Sequence, residues 1–202
     1  MALDTYANLK TKIADELARS DLTSHIVDFI TLADSRINAD LRVRQMETTM
    51  STVVAAGVIA VPANYIEMKN AYVSSTSPYI PLQRKSSAWI YQNYPYRSAD
   101  SDPKFIAREG TNFIFGPYPS GTPTITVVYY NRFVILATAV NAIFTSYPGL
   151  WLYASLAESA PHLKNDSRVA LWEAKYKAEL DRVQGESNKE ELSGDVLTMV
   201  AG

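Results

Sequence analysis

Few side chains in this 202-residue sequence are suited to catalysis or metal binding. There are two histidines, His25 and His162, and no cysteine, so disulfides and thiolate metal sites are excluded. The histidines lie far apart in sequence, each beside a predicted helix end, and two imidazoles supply too few ligands for a transition metal. We interpret both as surface residues near helix ends. The sequence therefore predicts no catalytic residue, no metal and no cofactor.

The known catalytic motifs point the same way. The sequence lacks a G-x-S-x-G elbow, a G-x-x-x-x-G-K loop and an H-E-x-x-H pair. Asp100 and Asp102 could hold a hard cation with loop carbonyls, but no calcium-loop spacing surrounds them, which favours a solvated turn. Asn165-Asp166-Ser167 fits the glycosylation pattern, yet the start M-A-L-D-T-Y is not typical of a signal peptide. A hydrolase would need a nucleophile–base pair that is not visible, and we expect a protein that is not an enzyme.

Aromatic residues cluster in one stretch of the sequence. Five of them fall between positions 79 and 96: Tyr79, Trp89, Tyr91, Tyr94 and Tyr96. Such rings could stack sugars or single-stranded bases, although few basic residues accompany them. Tyrosine and tryptophan are also enriched at subunit interfaces. We favour an aromatic interface or core, and keep as the alternative a carbohydrate- or single-stranded nucleic-acid-binding module.

Helical periodicity dominates both ends of the chain. In Ser24–Arg44, Ile26, Ile30, Ala33, Ile37 and Leu41 form one apolar stripe, and we expect this helix to be the scaffold of the fold, with Thr23 or Ser24 as its N-cap. A first helix is predicted over 4–19, capped by Asp4 or Thr5. Two more are predicted over 149–160, with Pro148 in the first turn and Ser146 as cap, and over 167–183, with Gly185 as C-cap.

The middle of the chain has the composition of β-strands. Runs of β-branched residues at 48–54 and 58–61 flank Ala55-Ala56-Gly57, which predicts a hairpin. Further strands are predicted at 68–74, 79–82 and 124–130, and a second hairpin at 104–115 across Glu109-Gly110. A short helix is predicted over 86–94. The connection 131–145 gives no clear pattern.

We therefore predict an α+β fold in which terminal helix pairs form a bundle and enclose an antiparallel β-rich insertion. Its parts are an N-terminal helical hairpin (1–45), the insertion (46–145), the C-terminal helices (146–185) and an extended docking tail (186–202). The tail ends on apolar side chains, so we expect portal or subunit docking, or the alternative of folding back on its own core. These are Val196, Leu197, Met199 and Val200.

The formal net charge of −2 argues against broad binding to nucleic-acid phosphates. No apolar run is long enough to cross a membrane, and the absence of cysteine suits folding in a reducing host cytoplasm.

Three stretches resemble a known family. They are T-Y-A-N-L-K-T-K-I-A-D-E-L-A-R-S-D-L-T, D-F-I-T-L-A-D-S-R-I-N-A-D-L-R-V-R and V-P-A-N-Y-I-E-M-K-N. The second contains an acid-x-Arg-apolar-Asn core at Asp34, Arg36, Ile37 and Asn38. In this order, over about residues 4–185, the chain resembles the head-to-tail adaptor (connector) proteins of short-tailed bacteriophages.

The resemblance implies a structural virion protein at the head-tail interface. Its copies would form a ring beneath the portal, usually of twelve subunits in such virions, with tail or nozzle proteins below. The ring would seal packaged DNA and leave a channel through which DNA passes without specific binding. The partners implied are thus further copies of the chain, the portal, tail proteins and the passing DNA, and no membrane.

Overall fold

A computed structural model describes residues 3–98, 101–163 and 166–192 and divides the chain into two compact units. The helical unit comprises Met1–Gln45 and Phe133–Gly202, and the β unit comprises Met46–Arg132. Helices and strands both contribute substantially, which confirms the predicted α+β class.

The described residues contain six α-helices, five of them in the helical unit. They are α1 (Tyr6–Leu17), α2 (Ile26–Asp40), α3 (Ser87–Asn93, in the β unit), α4 (Ala142–Ser146), α5 (Pro148–Glu158) and α6 (Arg168–Leu192). Three short 3-10 helices accompany them, at Ser20–His25, Arg44–Met46 and Ala160–His162.

Helix α1 follows its sequence pattern closely. The Thr5 hydroxyl accepts a hydrogen bond from the Asn8 amide at 3.1 Å, which confirms it as the N-cap. Leu9, Ile13 and Leu17 are buried, as the three- and four-residue spacing predicts.

Helix α2 has the predicted buried stripe but different ends. A 3-10 helix over Ser20–His25 precedes it, and no side chain caps its first residue, Ile26, so the expected N-cap at Thr23 or Ser24 is wrong. At the other end the Arg42 guanidinium donates to the carbonyls of Asn38 and Ala39, at 3.0 and 3.2 Å. A cation bonded to terminal carbonyls stabilises a helix C-terminus.

The centre of the helical unit is α5, not α2 as expected. Helix α5 packs against α1, α2, α4 and α6. Seven of its eleven residues are buried, and a helix apolar nearly all round belongs in the middle of a bundle. Pro148 occupies the first turn as predicted, but Ser146 belongs to α4 and the N-cap position is Tyr147.

Helix α6 is longer than its sequence suggests, so the prediction of Gly185 as a C-cap is wrong. The helix continues through Gly185 to Leu192, where an extended tail was expected from 186. Tertiary hydrogen bonds hold the additional turns. The side-chain amide of Gln184 donates to the backbone carbonyl of Asp40 at 3.0 Å, and the Ser187 hydroxyl accepts from the backbone amide of Arg44 at 3.0 Å. These bonds offset the cost of about 1 kcal/mol for an interior glycine.

Eight strands form two four-stranded sheets in the β unit. They are β1 (Glu47–Val53), β2 (Val58–Ala60), β3 (Tyr65–Val73), β4 (Ile80–Pro81), β5 (Gln83–Arg84), β6 (Phe105–Glu109), β7 (Asn112–Gly116) and β8 (Thr124–Asn131). The first sheet has the order β1-β8-β3-β4 and the second β2-β7-β6-β5. All pairs are antiparallel except β5 with β6.

The two sheets share one apolar core. Ile125, Val127 and Tyr129 alternate inward along β8, as predicted, and pack in one cluster with Phe113 and Phe115 of β7. Helix α3 covers the other face of the second sheet, where Ile90 packs against Ala107 and Ile114. The β unit therefore has three layers.

One predicted hairpin is only a turn. Ala55 and Val58 exchange both backbone hydrogen bonds at 3.1 Å, and Gly57 has the expected positive φ of 73°. Beyond that bridge the strands separate, because β1 pairs with β8 and β2 pairs with β7. The second predicted hairpin, β6–β7, is confirmed.

Candidate interaction surfaces

The structure brings the two histidines together. The ring centroids of His25 and His162 are 4.8 Å apart, and Phe29 presents its ring to His162 at 5.1 Å. The His25 Nδ1 lies 3.8 Å from a carboxylate oxygen of Asp28. Among the described residues no group of three or more acidic or histidine side chains is placed to hold a metal ion. No pattern in the sequence predicted that these two rings would be in contact.

The structure describes only one of the remaining acidic and glycosylation candidates that are named here. Asp102 is exposed, whereas Asp100 and Asn165 lie outside the described residues.

The acid-x-Arg-apolar-Asn core of α2 acts as a structural anchor. Asp34 is 2% exposed, and its carboxylate accepts hydrogen bonds from the Trp151 indole at 2.6 Å and the Leu136 amide at 3.2 Å. Burial raises the pKa of Asp34, and these two hydrogen bonds oppose the rise. Asn38 accepts from the Phe133 amide at 3.2 Å. Two side chains of one helix thus fix the loop that begins at Phe133.

Arg36, from the same core, binds α5 and α6. Its guanidinium pairs with Glu158 at 3.2 Å and Glu173 at 2.5 Å, and it lies 4.3 Å from the centroid of the Tyr176 ring. The Tyr176 hydroxyl donates to Asp40 at 2.8 Å. Arg36 lowers the pKa of Glu173 through a hydrogen bond. Desolvation, with the Asp40 carboxylate, raises the pKa of Tyr176. These contacts fix the register of three helices.

The loop held by Asp34 and Asn38 exposes aliphatic side chains. We call residues 133–141 the aliphatic loop; Val134, Ile135 and Val140 in it are 52%, 45% and 46% exposed. No charged residue occurs from Phe133 to Ala157. The Asn141 side chain donates to the Val134 carbonyl at 3.3 Å and accepts from the Phe144 amide at 2.8 Å, which closes the loop and caps α4. An exposed apolar patch on a fixed backbone is typical of a protein-binding surface.

A groove lies between α1 and α2 in the same unit. Its volume is about 320 Å³, and its lining includes Ala14, Ile26 and Val27, with Lys10 at the rim. Val27 is 44% exposed. The helical unit thus has a second apolar surface.

Part of the aromatic cluster packs inside the β unit. The Trp89 ring lies 4.7 Å from Phe105 and 6.2 Å from Tyr94, and Lys85 lies 5.2 Å above it. Tyr94 also covers Gly116, where an added Cβ would lie 2.8 Å from its ring. Trp89 and Tyr94 therefore pack on the paired ends of β6 and β7, the two central strands of the second sheet.

Tyr91 is paired with charges from its own unit. Its hydroxyl donates to Glu109 at 2.8 Å, and the Arg97 guanidinium lies 5.6 Å from its ring and 5.0 Å from that of Tyr118. The hydrogen bond to Glu109 raises the pKa of Tyr91. Arg97 also donates to the Phe115 carbonyl at 2.7 Å, so the aromatic–cation stack is tied to β7.

Two rings of the cluster are largely exposed. Tyr96 is 85% exposed, and Tyr79, 63% exposed, stacks on Tyr72 at 5.3 Å. Beside Tyr79 is a polar groove of about 490 Å³ lined by the serine-rich segment 74–78. The structure thus separates the five predicted aromatic residues into packed rings and exposed ones.

The predicted docking residues Val196, Leu197, Met199 and Val200 lie outside the described residues. The described part of helix α6 reaches Leu192, and the docking role stays a prediction.

Within the described residues, no helix is long and apolar enough to span a membrane. No curated protein matches the chain. The family model described as SU10 adaptor protein matches residues 4–197, nearly the whole chain. The exposed aliphatic loop agrees with a protein that works through contacts. The chain belongs to the SU10 adaptor protein family, a family of phage head-to-tail adaptors with a structural role in the virion.

Proposed function

We propose that this adaptor assembles as a ring between the portal and the tail or nozzle proteins, seals the packaged DNA and leaves a channel for its ejection. Family membership supports the head-to-tail position and argues against an enzymatic role. Folding in the host cytoplasm precedes assembly into the virion.

The observation that carries this proposal is the aliphatic loop. Val134, Ile135 and Val140 are exposed on a backbone that Asp34, Asn38 and Asn141 already hold. A fixed loop loses little conformational entropy on binding, so its apolar area contributes to affinity more fully than that of a mobile segment. Subunit or portal contact is the use that these features favour.

The overall charge of the chain is compatible with a channel through which DNA passes. With a formal net charge of −2, the chain has no excess of cations with which to bind phosphates along the length of DNA. DNA can then slide without being held.

The loop is tested by a triple substitution, Val134→Ser, Ile135→Ser and Val140→Ser. We expect assembly, with the portal and alone, to weaken by about tenfold or more, because exposed apolar side chains are lost from the contact. Ala139→Ser in the same loop is the matched control. Negative-stain microscopy and light scattering measure the particles, and circular dichroism checks the fold. Unchanged assembly of the triple variant would contradict the role of the loop. A wild-type chain that stays monomeric and does not bind the portal would contradict the proposed ring.

The tail is tested separately. Deletion of residues 197–202 should leave the described fold intact and weaken docking to the portal or to a neighbouring subunit, since Leu197, Met199 and Val200 are lost. Unchanged affinity for both partners would refute the docking role.

The exposed stack of Tyr79 on Tyr72 beside a polar groove favours one alternative, a carbohydrate- or single-strand-binding module. Fluorescence titration of the full chain with oligosaccharides and oligonucleotides measures it. Saturable binding lost in Tyr79→Ala would support this alternative, and a flat titration would end it.

A further inference from the structure

Strand β1 is an edge strand that the described chain leaves open. It pairs with β8 on one side only, and no described strand pairs with its other side. An unpaired edge exposes backbone donors and acceptors that another extended chain can bind.

The other three sheet edges are short or interrupted. Strand β4 has two residues and contains Pro81, and β5 has two residues followed by Lys85. The part of β3 that β4 does not cover, residues 65–70, includes Glu67 and Lys69 and is interrupted by two register shifts. Strand β2 has three residues, with Pro62 close behind. Short strands, prolines and lysines are the features that block edge-to-edge pairing. Strand β1 has seven residues, E-T-T-M-S-T-V, with neither proline nor lysine.

The hydrogen-bond pattern identifies the outward-facing residues of β1. The Val54 amide donates to the Pro123 carbonyl at 2.9 Å, so the backbone groups of Val54 face β8. Since this direction alternates along a strand, the amides and carbonyls of Glu47, Thr49, Ser51 and Val53 point away from the sheet. Thr49, Ser51 and Val53 are also exposed. The open edge is therefore uncharged over most of its length.

We propose that residues 196–200 of a second copy of this chain pair with the open edge of β1. This inference rests on the proposed ring, and it assigns one of the subunit contacts. The segment V-L-T-M-V contains no charge, proline or glycine, and two of its five residues are β-branched valines and a third is threonine. These properties match an uncharged strand edge.

The length of the tail fits this contact. The five residues of the segment 196–200 span roughly 17 Å when extended, and β1, with its seven residues, is roughly 23 Å long. Three residues, 193–195, connect the segment to Leu192 and can span up to roughly 10 Å. A tail that binds an edge on the next copy makes a head-to-tail contact, the type of contact that closes rings.

Engineered cysteines test the pairing, because the native chain has none. Thr49→Cys is combined in turn with Leu197→Cys, Thr198→Cys and Met199→Cys, and the assembled full-length chain is oxidised. We expect at least one combination to give a ladder of reducible multimers on a denaturing gel. The matched control puts the first cysteine at Thr122, an exposed loop position of the β unit, and should give no ladder. A disulfide confined to monomers, or no disulfide in assembled rings, would overturn the inference.

A backbone substitution gives an independent test. Thr49→Pro removes one outward amide donor but no bond to β8, so we expect self-assembly to fall by about tenfold while the melting temperature stays close to that of Thr49→Ser. Deletion of residues 196–202 should produce the same loss. If that deletion leaves self-assembly unchanged while Thr49→Pro reduces it, another occupant binds the edge and the inference is wrong. Failure of the wild-type chain to form rings at all would instead refute the proposed function.

Discussion

The interior of the helical unit and the interior of the β unit are stabilised by different kinds of interaction. Four of the five buried polar residues among the described positions belong to the helical unit, and two of these, Asp34 and Ser187, bond to other elements. Of the other two, Ser159 bonds to Leu156 in its own segment, and the Ser155 hydroxyl has no hydrogen-bond partner among the described residues. The β unit contributes only Thr126, and its core is otherwise aliphatic and aromatic. Helices can rotate and slide against one another, so directional bonds are needed to fix them. In a sheet, the ladders already fix the register.

This difference matters for an adaptor. In the helical unit, one buried and one partly buried hydrogen bond hold the aliphatic loop, since both Asp34 and Asn38 accept from its backbone amides. The β unit has one buried polar side chain among its described residues, Thr126, which bonds to the hydroxyls of Ser51 and Ser74 on the two neighbouring strand segments. Three predictions test the contrast.

The largest effect is expected from Asp34→Ala. The substitution leaves the Trp151 indole and the Leu136 amide without their acceptor in a site that is 2% exposed. We expect the free energy of unfolding to fall by about 3 kcal/mol, measured by urea denaturation. Asp28→Ala, at a carboxylate with 73% of its side chain exposed, is the control and should change stability by less than about 0.5 kcal/mol. Equal effects would mean that the anchor does not hold the unit.

The next largest loss of stability is expected in the β unit, from the substitution of a glycine that has a positive φ. In Gly57→Ala the new Cβ would lie 2.2 Å from the Tyr118 ring at a φ of +73°. We expect a loss of about 2 kcal/mol, from displacement of the ring and the left-handed backbone together.

Gly110→Ala separates those two causes. Its φ is +57°, and nothing lies within 4 Å of the added Cβ, so it should cost only about 1 kcal/mol. Thermal unfolding of both variants measures the difference. If Gly110→Ala were as harmful as Gly57→Ala, close packing under Tyr118 would not matter.

The smallest effect is expected in how the free energy of unfolding depends on pH, through two carboxylates, Asp34 of α2 and Glu173 of α6. Arg36 lowers the pKa of Glu173, so this carboxylate stabilises the fold above the ordinary carboxyl range, and the stabilisation is lost as pH falls through its folded pKa. Burial raises the pKa of Asp34, and its contribution is therefore present at low pH and lost as pH rises through its folded pKa.

Urea denaturation of wild type, Glu173→Gln and Asp34→Asn between pH 3 and pH 7 measures these opposite slopes. The stability difference between wild type and Glu173→Gln should grow with rising pH, and that between wild type and Asp34→Asn should shrink. Two slopes of the same sign would contradict the assigned causes.

Local signals in the sequence were sufficient where structure depends on neighbours along the chain. The Thr5 cap, the apolar stripes of α1 and α2, the short helix α3 and the β6–β7 hairpin all follow from spacing within a few residues. The aromatic cluster was also visible, although the sequence could not separate its packed rings from its exposed ones.

Tertiary structure decided what depends on distant partners. Gly185 suggests a helix end, yet bonds from Asp40 and Arg44 keep α6 helical to Leu192. The sequences of β1 and β2 suggest one hairpin, yet β1 pairs with β8 in the first sheet and β2 pairs with β7 in the second. By itself, the sequence determined the α+β class, the lack of cysteine chemistry and the helical stripes, because these are properties of composition and short-range period. The anchored aliphatic loop and the open edge of β1 exist only after residues far apart in the chain have paired, and no local pattern encodes that pairing.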